Sequence, residues 1–190
     1  RIRAKRHGII DQETPDEYNE SKLTGGFSYG FDEAGAPRAE IEIGRTTRAY
    51  TNNRAITSLS DLTQNSAKAT IFYKLQPSTS LLVEASTRRF DYRTATTSST
   101  QNRVMAGVTW EITGQTSGSV KAGSSSKTFD DAPIEDGKTS SWEVSANWSP
   151  LSYSVFSLAS TRDFGEAKGT GDYTEAVGSV LGWDHGWNNH

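Results

Sequence analysis

Asn102-Arg103-Val104-Met105-Ala106-Gly107-Val108-Thr109-Trp110-Glu111-Ile112, answered further on by Trp142-Glu143-Val144-Ser145-Ala146-Asn147-Trp148, decides how this chain folds. Val104, Ala106, Val108, Trp110 and Ile112 stand two apart, as do Trp142, Val144, Ala146 and Trp148. Arg103, Thr109, Glu111, Glu143, Ser145 and Asn147 occupy the alternate positions. A period of two sends the two sets to opposite faces of a strand. From Asn102 to Phe164 the chain therefore reads as four strands, oily on one face and charged on the other. Gly114-Gln115-Thr116 and Ser149-Pro150-Leu151 make tight joins, whereas Asp130 to Lys138 makes a long acidic one.

Outward from that stretch the same alternation recurs. Ile2 and Ala4 read as the tail of a strand, and Gly8 to Ser21 as a long acidic loop. Leu23, Gly25, Phe27, Tyr29 and Phe31 share one parity up to the turn Asp32-Glu33-Ala34-Gly35. Ala39, Ile41 and Ile43 then alternate with Arg38, Glu40 and Glu42. Thr51 to Ser66 reads as a loop with room for a brief helical turn. Ala67 to Leu75 and Leu81 to Tyr92 form a hairpin about Gln76-Pro77-Ser78-Thr79, with Phe72 breaking the parity. Thr94 to Gln101 and Gly165 to Asp172 read as loops, and Tyr173 to Trp183 as a last strand. Between Leu151 and Phe164 the parity is ambiguous, because Tyr153, Val155 and Ala159 compete with Phe156 and Leu158.

Composition points the same way. Only 33% of the 190 residues are hydrophobic and the mean hydropathy is −0.65, yet aromatic residues reach 10%, with five Trp. Strands that give half their side chains to a polar interior have this mixture. A row of Arg, Lys and Glu would be a costly core for a soluble sandwich. No stretch has the ~20 consecutive apolar residues of a membrane-spanning helix. Basic residues are not concentrated anywhere and the net charge is −3, so a nucleic-acid partner is not expected. There is no cysteine, hence no disulfide framework.

The expectation is a single all-β domain over residues 1–190: an antiparallel up-and-down transmembrane β-barrel, a partial barrel of about nine to ten strands from a longer chain. The charged parity, Arg38, Glu40, Glu42, Lys68, Lys74, Glu84, Arg88, Arg103, Glu111, Lys121, Glu143 and Arg162, would line the lumen. Ile41, Ile43, Ile71, Val83, Val108, Trp110, Trp142 and Trp148 would face lipid, the Trp residues as an aromatic girdle.

Enzymatic and metal motifs are weak. Asp184, His185 and His190 lie in a Gly/Asn-rich tail without the spacing of a zinc site. Asp130, Asp131, Glu135 and Asp136 do not match a calcium loop, and Pro133 interrupts them. Gly169-Thr170-Gly171 lacks the Gly-Lys-Ser/Thr of a phosphate loop. No Ser sits in a nucleophile elbow. No catalytic residue, metal or cofactor is expected.

Arg88-Arg89-Phe90-Asp91-Tyr92, Gly107 to Gly114, Trp142 to Pro150 and Thr161-Arg162-Asp163-Phe164 together carry a resemblance. They are similar to outer-membrane β-barrel porins of Gram-negative bacteria that often accompany exopolysaccharide biosynthesis and export machinery. That resemblance runs from about Leu23 to the end and transfers no site residue. It implies an outer-membrane channel for exopolysaccharide, in contact with lipid and lipopolysaccharide and with envelope export proteins. The alternative is a soluble or surface-exposed β-rich carbohydrate-binding protein.

Overall fold

The computed structural model describes residues 2–4, 15–31, 33–93, 98–112, 114–130, 136–165 and 174–187. They form one antiparallel sheet in which each strand pairs with its neighbours in sequence. The strands are β1 (Ile2–Ala4), β2 (Asp16–Gly30), β3 (Pro37–Tyr50), β4 (Leu62–Gln76) and β5 (Thr79–Tyr92). The second half is β6 (Ser99–Ile112), β7 (Thr116–Phe129), β8 (Gly137–Leu151), β9 (Ser154–Gly165) and β10 (Thr174–His185). Among the described residues no ladder joins β10 back to β1 or β2. The sheet is thus an arc of an up-and-down β-barrel.

Three expected loops give way to the next strand earlier than the alternation suggested. β2 already begins at Asp16, inside the acidic run Gly8 to Ser21, β4 begins at Leu62 instead of after Ser66, and β6 begins at Ser99, inside Thr94 to Gln101. Backbone pairing continues through polar residues where hydrophobic periodicity has stopped, so periodicity alone ends these strands too early. The helical turn is present as α1 (Arg54–Thr57), followed by a 3-10 turn at Ser58–Ser60. In the third hairpin the chain reverses at Gly114-Gln115, where Gly114 has φ 66°, a left-handed value that suits glycine. The fourth hairpin reverses at Ser152-Tyr153, later than expected; Ser149 and Pro150 remain in β8 beside a register shift between Trp148 and Leu151. The acidic residues Asp131 and Glu135, Gly169-Thr170-Gly171 and His190 lie outside the described residues.

Register divides the sheet into two faces. Phe27 pairs with Ile41, Ile41 with Ala69, Ile71 with Val83, Val83 with Ala106, Val108 with Val120, and Val120 with Val144. Their side chains are exposed or half-buried; Phe27 is 67% and Leu181 78% accessible. This outer face has two zones. Towards the tight turns it is apolar. Towards the long connections it is polar, with Arg45, Thr47, Asn65, Arg89, Asn102, Ser124, Lys138 and Ser140 on the same parity. Strands of 12 to 15 residues from β2 to β10 exceed the ~9–11 that cross a bilayer, which leaves length for such a collar.

The inner face is concave, most sharply at β6 and β7. A Cβ on Gly107 would collide with the Val120 carbonyl, and one on Gly123 with the Val104 carbonyl. Both glycines share the inner parity, and their lack of a side chain lets the two backbones bend inward together. Packed inside that bend are Leu82, Phe90, Met105 and Phe129, with Met105 only 1% accessible. Lys127, 2% accessible, lies with its Nζ 5.2 Å from the Phe90 ring centre and 5.6 Å from that of Phe129. Phe72 departs from the oily parity because it faces inward as well, beneath the Arg38 guanidinium at 4.7 Å.

At the long-connection end the segment between β3 and β4 is tied down by side chains. Asn52 accepts from the Glu17 amide at 2.7 Å and donates to the Pro15 carbonyl at 2.8 Å. Asn53, at φ 50°, donates to Asp16 at 2.9 Å, and buried Thr57 donates to the Asn52 carbonyl at 2.7 Å. Asp61 accepts from the Tyr50 amide and from Arg54, each at 2.8 Å. The hydrogen bond from the Arg54 guanidinium holds the Asp61 carboxyl below its ordinary range, against the burial that would raise it. A depressed carboxylate contributes stability above its unfolded pKa and loses it as pH falls through the folded value. Hydrogen exchange at the Tyr50 amide should therefore quicken as pH drops below the usual carboxylate range, beyond the intrinsic trend, and Asp61→Asn should abolish that acid step.

Candidate functional site

The inner face collects charges that are far apart in sequence. Cross-strand neighbours share a face, so the register places Arg38, Glu40, Glu42, Lys68, Lys74, Glu84, Arg88, Arg103, Glu111, Lys121 and Glu143 together on it. One expected member is absent. Arg162 pairs with Trp142 in register and lies 5.4 Å over its ring, on the outer face, where it binds Glu175 at 2.7 Å. The expectations for Arg162 and Trp142 were incompatible, because cross-strand partners cannot lie on opposite faces. Even-numbered residues of β9 face outward, which resolves the ambiguous parity in favour of Phe156 and Leu158.

Asp163, the neighbour of Arg162, takes the inner position. Its carboxylate accepts from Ser125 at 2.7 Å, Gln101 at 2.9 Å, Ser141 at 3.3 Å and Arg103 at 3.4 Å. Gln101 and Arg103 belong to β6 and Asp163 to β9. Three strand intervals of about 4.8 Å would separate their backbones by about 14 Å on a flat sheet, beyond the combined reach of Asp and Gln side chains. Only a curled sheet brings them together. Asp163 is thus a transverse strut.

Beside it sits a second hub. Glu84 accepts from Arg103 at 3.0 Å and Lys121 at 3.1 Å, and Lys121 also reaches Glu143 at 2.8 Å. Arg103 and Lys121 have side chains only 12% accessible, and that of Glu84 is 7%. Each of these buried ions has an opposite charge within hydrogen-bond distance, the condition under which burying them is tolerable. Serine hydroxyls extend the polar lining, with Ser125 and Ser141 2.8 Å apart and Ser119 and Ser145 3.0 Å apart. Glu84, Arg103, Lys121, Glu143 and Asp163 therefore cross-link the inner face from β5 to β9 by ion pairs.

The inner face of β2 to β4 is open. Gly26, Ser28, Glu40, Glu42 and Lys68 line a recess there of about 270 Å³. Its charges meet in looser pairs: Arg38 with Glu40 at 3.2 Å and Lys68 with Glu42 at 3.5 Å. Higher up, Arg48 binds Glu20 at 2.7 Å.

On the outer face, Ile41, Ile43, Ile71, Val83, Val108, Trp110, Trp142 and Trp148 all take the oily parity. Trp148, Phe156 and Trp183 form a row across β8, β9 and β10, with ring centres 5.4 and 5.9 Å apart and the latter pair within 6° of parallel. Sequence reading missed Phe156 and Trp183, although both lie near a tight turn and could have been placed by the register of Trp148. Trp110 covers Gly118, its cross-strand partner, so that a Cβ there would strike the indole. Among the described residues no group of His, Cys, Asp or Glu could hold a metal ion.

A face of interlocked polar charge behind an exposed oily one, wound through consecutive antiparallel hairpins, is how a membrane barrel wall is built. No curated protein and no solved structure matches the chain. A family model does match it over residues 11–175, the greater part of its length. The chain belongs to the family described as "Putative beta-barrel porin 2".

Proposed function

We propose that this chain forms wall of a non-enzymatic channel in the outer membrane of a Gram-negative bacterium, its oily face on lipid and lipopolysaccharide and its polar face on a water-filled lumen. One observation carries this reading: a contiguous apolar band, Phe27, Ile41, Ile71, Val83, Val104 and Leu181 among it, lies exposed with no second layer packed on it among the described residues. A soluble carbohydrate-binding sandwich would seal that band inside. The finer reading is export of polysaccharide, alongside envelope export proteins. What supports it is the strand-motif similarity to porins that accompany such machinery, and an inner face of hydroxyls, amides and paired charges that can exchange transient hydrogen bonds with sugars. No covalent step is required.

Reconstitution of the full-length protein into planar bilayers tests the channel, and polymer efflux from loaded vesicles tests the cargo. Discrete conductance steps are expected in the first. Val83→Arg, in the middle of the oily band, should weaken membrane assembly by about 2–4 kcal/mol if it lies at the bilayer midplane, read from urea titrations in vesicles. A protein that stays monodisperse in buffer without detergent, and unfolds equally with Arg at this position, would contradict the lipid-facing assignment.

A further inference from the structure

The inner face of β2 to β5 carries a charge imbalance that its ion pairs do not remove. Glu20 is held by Arg48, Glu40 by Arg38, Glu42 by Lys68, and Glu84 by Arg103 and Lys121. Lys22 and Arg88, on the same face, have no ion-pair partner among the described residues. Lys22 is exposed and Arg88 half-buried. In register, Lys22 stands opposite Thr46 and Arg88 opposite Ser66, and between the two cations come Thr24, Gly44 and Gln64. These intervening side chains are short or uncharged, so no carboxylate separates the cations. The distance from β2 to β5, three strand intervals, is about 14 Å along the wall.

From this arrangement we infer that the channel selects for anions, with Lys22 and Arg88 as its selectivity residues, and that its cargo carries carboxylate, sulfate or phosphate groups. The inference rests on the channel reading above. Two further observations favour it. Most inner-face carboxylates of β5 to β9 are already engaged: Asp163 and Glu84 lie within their hubs, and Glu143 is bound to Lys121. The exception, Glu111, is exposed at the tight-turn end of β6, away from Lys22 and Arg88, which lie towards the long connections. The recess beside Glu42 and Lys68 also leaves the inner face open on β2 to β4, the strands that carry Lys22 and lie beside Arg88 of β5. Fixed charges of one sign on a low-dielectric wall raise the local concentration of the opposite ion. A polymer with charges spaced along it could be handed from one cation to the next without binding tightly at either.

The test is the reversal potential of the full-length protein in planar bilayers under a KCl gradient, comparing wild type with Lys22→Gln, Arg88→Gln and the double variant. Wild type should prefer chloride, each single variant should lose part of that preference, and the double variant most of it. Because Lys22 is exposed, Lys22→Gln leaves the hubs untouched and keeps the test sound should Arg88→Gln fail to assemble. Dextran sulfate should block the wild-type current where neutral dextran of equal size does not. A wild-type channel that prefers potassium, or a preference for chloride untouched by the double variant, would overturn the inference while leaving the channel standing. Protein inserted in the bilayer yet silent would overturn both.

Discussion

Glu84→Ala should destabilise the assembled protein by about 3–5 kcal/mol, because it strips the shared acceptor from two buried cations at once. Arg103 and Lys121 both donate to this carboxylate, at 3.0 and 3.1 Å, from β6 and β7 respectively. Without it Lys121 retains Glu143 at 2.8 Å, and Arg103 retains Asp163 at 3.4 Å and Glu143 at 3.7 Å. Those residual contacts set the difference between a weakened barrel and one that does not form. Glu84→Gln keeps the shape and two hydrogen-bonding groups but removes the charge, so its loss should be smaller than that of Ala. Urea unfolding in lipid vesicles, with the folded form followed by its anomalous gel mobility, would measure both. Equal stability of Glu84→Ala and wild type would mean the hub is a passive filling of the bend.

Gly123→Ala should be of comparable severity, about 3 kcal/mol, the upper part of the usual range for overpacking. The added methyl would overlap the Val104 carbonyl and approach the Met105 Cα at 2.8 Å, both backbone atoms that cannot rotate away. β6 and β7 would have to separate, and the curl that lets Asp163 reach Gln101 would open with them. The opposite sign is expected at Gly25, where a Cβ meets nothing closer than an Ile43 methylene carbon at 3.9 Å. There Ala should raise stability by roughly 0.5–1 kcal/mol, the ordinary cost of glycine in a strand. Measuring the pair in one series separates close backbone approach from strand propensity. If both substitutions stabilise, the tight bend at β6 and β7 is not as described.

The up-and-down sheet was legible in the sequence because each strand obeys a single local rule. Ile41 and Glu42, or Val108 and Thr109, declare opposite faces without reference to any distant residue. Strand ends were less legible: in Asp16 to Lys22 and Leu62 to Ser66 both faces are largely polar, so backbone pairing continues with no hydrophobic signal to mark it. The contents of the inner face were legible as parity but not as partnership. Nothing local connects Asp163 with Gln101, or Glu84 with Lys121; those contacts follow from curvature, which depends on two glycines whose importance appears only when β6 and β7 lie side by side. Arg162 was misplaced for a related reason. The run from Tyr153 to Phe164 carries apolar residues on both parities, and only the pairing with Trp142 and Val177 decides between them.

The outer face changes character partway along each strand, and this affects how high the wall stands. On β3 the residues beyond the oily band run from Arg45 to Tyr50. At about 3.3 Å per residue and a barrel-like tilt they rise about 15 Å. The bound turn around Asn53 and Asp61 would then sit on a parapet well clear of hydrocarbon and, in the outer membrane we propose, within the hydrated sugar layer of the cell surface. A peptide tag inserted there would be read by antibodies on intact cells, while the same tag at Pro77-Ser78 would stay hidden on the opposite side.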